Sequence, residues 1–284
     1  MMNRQIVSEL LKKADLGGYA IPHFNYSDLW DLIAITEAAE EEGAPVFVAS
    51  IPKVANAIGV EICGAFGLAA MKKARVPLIH HLDHSNDIDL CKAAVDNGYP
   101  SVMIDASKYP LDDNIKIVTE VVEYAHAREV HVEAELGRIK GKTDEASFTG
   151  GEFLVDVEEA VKLVKNTGVD LLAIGIGTAH GFYKGKPEIN FKRLAEVNKA
   201  LETPLVLHGG TGIPEEDVKR AVKEGINKVN VGTIIRHTYL TTVKKELETM
   251  EPDTHTVDVA RRAIENIKVE VKRWIKACMA DGKA

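Results

Sequence analysis

The sequence is poor in cysteine. Its three, Cys63, Cys91 and Cys278, stand far apart and form no Cys-x-x-Cys pair. That spacing argues against both a disulfide framework and a thiolate zinc site. No run reaches the roughly 18 apolar residues that a membrane-spanning helix needs, so no membrane partner is expected. The opening Met1-Met2-Asn3-Arg4 leads into a short amphipathic helix instead of an apolar signal core. A reduced, soluble, cytoplasmic protein is the plain expectation. Basic residues are outnumbered, with 35 Lys and Arg against 43 Asp and Glu and a net charge of −8. A general nucleic-acid partner is thereby disfavoured. An anionic small molecule is not, because a pocket can be locally positive on an acidic protein.

What is present is a strand and helix alternation. Of 284 residues, 45% are apolar, enough for one large core. Short apolar runs at Tyr19–Phe24, Pro45–Ala49, Pro77–Leu82, Ser101–Ile104, Val130–Glu135, Asp170–Gly175, Pro204–His208 and Lys228–Val231 read as eight strands. Helical patterns lie between them, such as Leu29–Glu42, Ile88–Asn97, Asn114–Arg128, Val157–Thr167 and Pro214–Glu224. Ser27-Asp28 and Pro214 mark helix starts, and Gly98, Gly168 and Gly225 mark helix stops. Eight such repeats imply parallel strands with crossover helices. An open doubly wound sheet competes with a closed barrel. The strand count and the lack of Gly-x-Gly-x-x-Gly after the first strand favour the barrel. The expected fold is therefore an α/β, (β/α)8 TIM barrel, one domain over 1–284, with an extra helix at 1–16 and a long trailing helix at 256–280.

In such a barrel the site forms at the C-terminal strand ends. Those ends carry Asn25, Ser50, Asp83-His84, Asp105, Glu133, Glu135, His208-Gly209-Gly210 and Asn230, and His180 follows the sixth strand. In Val130-His131-Val132-Glu133-Ala134-Glu135 the polar residues share one face. The apolar face must meet helices, so His131, Glu133 and Glu135 should point into the barrel, Glu135 nearest the rim. A carboxylate there needs a cation or several donors. His84, His180 and His208 stand at three rims, and three imidazoles with an open position make a catalytic zinc site. A rim histidine taken singly is more simply a hydrogen-bonded one; three beside an inward Glu135 favour a metal. The glycine-rich stretches Gly175–Gly181, His208–Gly212 and Asn230–Thr233 suggest backbone N–H groups around a phosphate, with Lys184 adding charge.

At these residues the chain resembles the class II fructose-bisphosphate and tagatose-bisphosphate aldolases. The likeness runs from about Leu10 to Leu247. It rests on His81-Leu82-Asp83-His84, Ser101–Asp105, Val132–Gly137, Gly177-Thr178-Ala179-His180-Gly181, Leu207–Gly210 and Val229-Asn230. The resemblance implies that His84, His180 and His208 hold Zn²⁺, with Glu135 a nearby or exchangeable ligand. The metal would bind the ketose C2 carbonyl and C3 hydroxyl and stabilise the enediolate left when C3–C4 breaks. Asp83 would take the C4 hydroxyl proton. Gly181, Lys184, Gly209, Gly210, Thr211, Asn230 and Thr233 would hold the C1 phosphate of the dihydroxyacetone phosphate half, with room for a monovalent cation near it. A phosphorylated ketose substrate and a homodimer or homotetramer are further implications.

Four departures from the family pattern bear on the substrate. Ile51 stands where a serine usually binds the far phosphate, with Ser50 beside it. The usual Asp-Pro-Arg is absent near the C-terminus, where Arg261 and Arg262 follow. The last rim reads Asn230-Val231-Gly232-Thr233-Ile234. Thr143 replaces a loop glutamate, with Asp144 and Glu145 adjacent as catalytic candidates. His23, Asn25, Ser50, Arg236, Arg261 and Arg262 are candidate replacements at the far end. The substrate is then fructose or tagatose 1,6-bisphosphate, or a ketose phosphate with another terminal group such as 6-deoxy-6-sulfofructose 1-phosphate. A non-catalytic zinc-binding sugar-phosphate sensor is the rival reading, and Asp83, which a sensor would not need, argues against it. Another metal-dependent barrel lyase or isomerase would need a second acid/base pair, which Asp144 or Glu145 would supply.

Overall fold

The structure is a computed structural model that describes residues 2–137, 154–183, 185 and 187–284. The chain opens with helix α1 (Arg4–Gly17) and strand β1 (Ile21–Asn25). It continues through α2 (Leu29–Glu42), β2 (Val46–Ser50), α3 (Pro52–Ile58), α4 (Val60–Lys73), β3 (Leu78–Ser85), α5 (Ile88–Asp96) and β4 (Ser101–Ile104). The second half runs α6 (Leu111–His126), β5 (His131–Leu136), α7 (Val157–Thr167), β6 (Leu171–Ile174), α8 (Phe191–Ala200) and β7 (Leu205–Leu207). After a 3₁₀ turn at Gly210–Gly212 come α9 (Glu215–Lys223), β8 (Ile226–Val231), α10 (Thr233–Leu247) and α11 (Thr256–Ala277). Each strand pairs in parallel with the next, and β8 pairs with β1, closing the barrel. The (β/α)8 expectation holds, and so do the extra first helix and the long last one. No described helix is by itself long and apolar enough to cross a membrane.

The local signals act as the chemistry requires. Asp28 caps α2 by accepting from the N–H groups of Trp30 and Asp31, and Asp156 caps α7 in the same way. Gly98, Gly168 and Gly225 each adopt the positive φ that ends a helix. Along α11, Ala260, Ile264, Ile267, Val271 and Trp274 recur at helical spacing and are buried. The leading helix closes the N-terminal end of the barrel. There Arg4 Nε donates to Asp170 Oδ1 at 2.8 Å, and Asn227 Nδ2 donates to Asp15 Oδ1 at 2.9 Å.

The barrel interior is less apolar than its outer face. His23, His81, His131, Glu133 and Lys228 are wholly buried. The His81 ring meets Phe47 edge to face, and the Lys228 ammonium lies 5.1 Å from the Phe47 ring centre. The alternation read in β5 is realised: Glu133 points inward to polar partners, while Val132 and Ala134 join the apolar packing.

Candidate metal centre and substrate cavity

A cavity of about 750 Å³ opens at the C-terminal strand ends. Its floor carries Asp83, His84, Glu135 and His180. Consecutive residues of a regular strand point to opposite faces, yet both Asp83 and His84 line this cavity. The cause is a register break in β3. Leu82 pairs with Val102, but the next pair is Ser85 with Ile104, so β3 uses one residue more than β4. His84 sits in this bulge with φ 51, and its N–H faces Met103 Sδ at 3.4 Å. A bulge re-aims a side chain at modest backbone cost, and here it turns His84 inward.

Three imidazoles converge. The ligand nitrogens of His84, His180 and His208 lie within 4.8 Å of one another. His84 Nε2 and His208 Nδ1 are 2.7 Å apart. The opposite nitrogens have carboxylate partners: His208 Nε2 meets Glu133 Oε1 at 2.8 Å, and His84 Nδ1 meets Asp105 Oδ2 at 3.4 Å and Glu135 Oε2 at 3.9 Å. A carboxylate on the outer nitrogen fixes the tautomer and leaves the inner lone pair free for a metal. Burial keeps His208 well below the ordinary histidine range, and burial with the neighbouring His84 lowers His180 to about 4. His84 moves the other way, to about 10: burial opposes its charge, but Asp83, Asp105 and Glu135 outweigh burial. The donor set fits a divalent cation. It offers two imidazoles held neutral, His180 and His208, a third in His84 that would give up its proton to a bound ion, nearby carboxylates and an open side toward the cavity.

Asp83 is held from two directions. Asn25 Nδ2 donates to its Oδ2 at 2.9 Å, and Asn230 Nδ2 donates to its Oδ1 at 3.2 Å. His23 Nε2 lies 3.7 Å beneath. Asp83 is only 2% exposed and lines the cavity together with His84 and His180. A proton acceptor beside a candidate metal is therefore fixed in place before substrate arrives.

The glycine-rich rims form the opposite wall. Gly181, Gly209, Thr211, Asn230, Gly232 and Thr233 line the cavity, with the N-terminus of the fifteen-residue α10 at Gly232 and Thr233. That helix end attracts an anion. Gly209 has φ 75, and a Cβ there would lie 2.4 Å from the Ala179 carbonyl oxygen, so only glycine brings the β6 and β7 loops this close. Tyr183 Oη joins the same loops, accepting from Ala179 N–H at 2.8 Å and donating to the Gly209 carbonyl at 3.2 Å.

Several expected site residues lie elsewhere. Ser50 does not face the cavity. It is wholly buried, and its hydroxyl pairs with Tyr99 Oη at 2.8 Å. The parity of β2 explains this: Phe47 points into the barrel, so Ser50, three residues on, points out to the helices, and Ile51 takes the cavity edge. Gly210 is buried behind the wall, where a Cβ would approach the Asn230 carbonyl oxygen at 2.8 Å. It is not among the residues that line the cavity. Asn25 and Asn230 do line the cavity; Asn25 donates to Asp83, and Asn230 Nδ2 is shared between Asp83 Oδ1 and His208 Nε2, each at 3.2 Å. Arg236 lines the cavity, whereas Arg262 pairs with Glu246 at 2.5 Å on the outer surface. Asp144, Glu145 and Lys184 lie outside the described residues.

Lys53, Ser107, Lys108 and Lys228 were not singled out from sequence, and the first three line the cavity. The signal for Lys228 was a lysine within a strand, two residues before the rim residue Asn230 and so on the same face. Lys53 and Lys108 carried no such signal, since exposed lysines near turns are ordinary.

Comparison with known proteins follows the same line. The family model described as Fructose-bisphosphate aldolase class-II matches residues 5–283. A fructose-bisphosphate aldolase of Geobacillus stearothermophilus is 43% identical over 230 residues, 80% of each chain. Among solved structures, the YdjI aldolase from Escherichia coli K12 superposes with a TM-score of 0.87 at 31% identity, covering 98% of both chains. A putative fructose-1,6-biphosphate aldolase from Coccidioides immitis superposes with a TM-score of 0.89 at 27% identity, covering 99% of this chain and 98% of the other.

Proposed function

This chain belongs to the class II fructose-bisphosphate aldolase family, and from that premise we propose that it is a zinc-dependent aldolase that reversibly cleaves a ketose 1-phosphate. The products are dihydroxyacetone phosphate and an aldehyde. The observation that carries this reading is Asp83, fixed by Asn25 and Asn230 beside the three converging histidines.

His84, His180 and His208 hold the Zn²⁺, with Glu135 close by. When bound, the ion supplies Lewis acidity to the C2 carbonyl end of the ketose. Asp83 accepts the C4 hydroxyl proton as the C3–C4 bond breaks, and the electron pair of that bond stays with C3 of the triose half. In condensation Asp83 returns the same proton. Asn25 and Asn230 keep its carboxylate aimed, so no reorganisation accompanies the transfer. The rim of Gly181, Gly209, Thr211 and Thr233, with the α10 N-terminus, takes the C1 phosphate. The terminal group is that of fructose or tagatose 1,6-bisphosphate, or of a related ketose phosphate such as 6-deoxy-6-sulfofructose 1-phosphate.

A panel of these substrates, each with product identification, tests the reading. Release of dihydroxyacetone phosphate, abolished by exhaustive chelation and restored by Zn²⁺, is expected. Saturable binding of ketose phosphates without turnover, at full metal load, would instead mark a sensor and defeat the proposal.

A further inference from the structure

The cavity has a second positive end. Its first pole is the glycine-rich rim at the ends of β6, β7 and β8. Across the barrel, β3 carries Asp83 and His84 and is flanked by β2 and β4. The residues after those two flanking strands are Ile51, Pro52 and Lys53 on one side and Ser107 and Lys108 on the other, and all five line the same cavity. Both lysines are exposed, and neither forms an ion pair among the described residues. Lys108 Nζ lies 5.0 Å from the ring centre of Tyr109. Of the other groups on this side, Ser107 Oγ already donates to Asp105 Oδ1 at 2.7 Å, Asp105 also meets His84 Nδ1, Asn86 offers only a neutral amide, and Ile51 and Pro52 offer no side-chain donor. The two ammonium groups are the cations that the loops after β2 and β4 bring to the cavity; Arg236, the other described cation lining it, stands on α10 after β8.

On the proposed function, a ketose held by its C1 phosphate at the β7–β8 rim would pass C2 and C3 over the histidines and bring C4 to Asp83, so its remaining carbons would extend toward the β2 and β4 loops. We propose that Lys53 and Lys108 form the subsite for an anionic terminal group of the substrate and set the preference of the enzyme for ketose 1-phosphates with a charged distal end. This rests on the ketose 1-phosphate reading above. Paired ammonium groups attract any anion without dictating planar geometry, as an arginine fork would. A phosphate, a sulfonate or a carboxylate therefore shares the recognised chemistry, and a neutral hydroxyl does not.

The test compares kcat/KM for fructose 1,6-bisphosphate and 6-deoxy-6-sulfofructose 1-phosphate with that for fructose 1-phosphate, whose distal end is neutral. Wild type and the variants Lys53→Met, Lys108→Met, the double variant and Lys53→Arg/Lys108→Arg are measured. For wild type, at least one charged-end substrate should exceed fructose 1-phosphate by about tenfold or more, the scale of charge-assisted hydrogen bonds. In the double Met variant that ratio should fall to within about threefold of unity, chiefly through KM, and the double Arg variant should recover part of it. The KM of the charged-end substrates should rise with salt in wild type and much less in the double Met variant. A wild-type ratio near one, or an undiminished ratio in the double Met variant, overturns the proposal. Exchange of the C3 proton of dihydroxyacetone phosphate, which needs no distal group, separates the two readings. Wild type that neither exchanges that proton nor cleaves any ketose 1-phosphate refutes the aldolase function itself.

Discussion

Lys228 Nζ donates to Glu133 Oε2 at 2.6 Å in the middle of the barrel, where neither side chain is exposed. The other oxygen of Glu133 meets His208 Nε2 at 2.8 Å. The three groups form a line from the barrel interior to the imidazole of His208 at the candidate metal site. Lys228 offsets the charge of a carboxylate that would otherwise be buried alone, and the carboxylate in turn sets the orientation of the imidazole. One ion pair thus ties the packing of the barrel interior to the orientation of a candidate metal ligand.

Lys228→Met should leave Glu133 buried without a counter-charge and cost about 3–5 kcal/mol of stability. Adding Glu133→Gln to Lys228→Met should recover part of that loss, because the uncompensated charge is gone. Glu133→Gln alone should also weaken Zn²⁺ binding by about 10–100-fold. Urea unfolding of the chelated proteins measures the first two effects, and chelator competition measures the third. A double variant as unstable as the sum of its parts would show that the pair is not coupled.

The purified protein should carry about one Zn²⁺ per chain, since three histidine nitrogens converge within 4.8 Å. His208→Ala removes a ligand that Glu133 has oriented and should lose most of the ion and nearly all activity. Elemental analysis decides this, and full zinc occupancy in His208→Ala would remove that residue from the ligand set.

Asp83→Asn should keep the fold and the metal and lower kcat by at least about 10²-fold, the usual contribution of a positioned acid or base. Exchange at C3 of dihydroxyacetone phosphate should survive better than cleavage, because Asp83 serves the C4 hydroxyl. Stopped-time cleavage and proton-exchange assays on one preparation separate the two effects. Near-normal cleavage would mean that another group is the base.

Much of this was legible because barrel geometry ties position in sequence to position in space. The alternation in β5 announced the inward Glu133 and Glu135, and the end of each strand announced the rim. Two local facts escaped that logic. The bulge at Asp83-His84 breaks strand parity, and nothing in the residues themselves announces an extra residue in β3. Ser50 shows the reverse: the rule of strand ends placed it at the rim, but parity within β2 turns its hydroxyl outward to Tyr99. The cavity lysines depend on where the loops after β2 and β4 fold, and that path leaves no periodic trace. Lys228 required knowing that the inward faces of β8 and β5, three strands apart, meet inside the barrel, a relation that strand order supplies only once the barrel is known to close.

The last prediction concerns the N-terminal end of the barrel. Asp170 accepts from Arg4 Nε at 2.8 Å and from Val132 N–H at 2.8 Å, and it meets His126 Nε2 at 2.9 Å. Burial by itself would raise its pKa, but the hydrogen bond from His126, the field of His131 and the Val132 N–H prevail, and its pKa falls to about 2. The folded state therefore binds this proton less readily than the unfolded chain, whose value is near 3.8. Such a group stabilises the fold fully above the unfolded value, and the contribution fades as pH falls toward about 2. Asp170→Asn cannot ionise, so it should be less stable than wild type by about 2 kcal/mol at pH 7. That gap should narrow steadily below pH ~4. Both proteins should be measured after chelation, so that loss of metal in acid does not enter the comparison. Melting temperatures at pH 7, 4 and 2.5 would decide it. A gap of constant size across that range would mean that Asp170 acts through packing instead of charge, and that the link between α1, α6 and the start of β6 is not electrostatic.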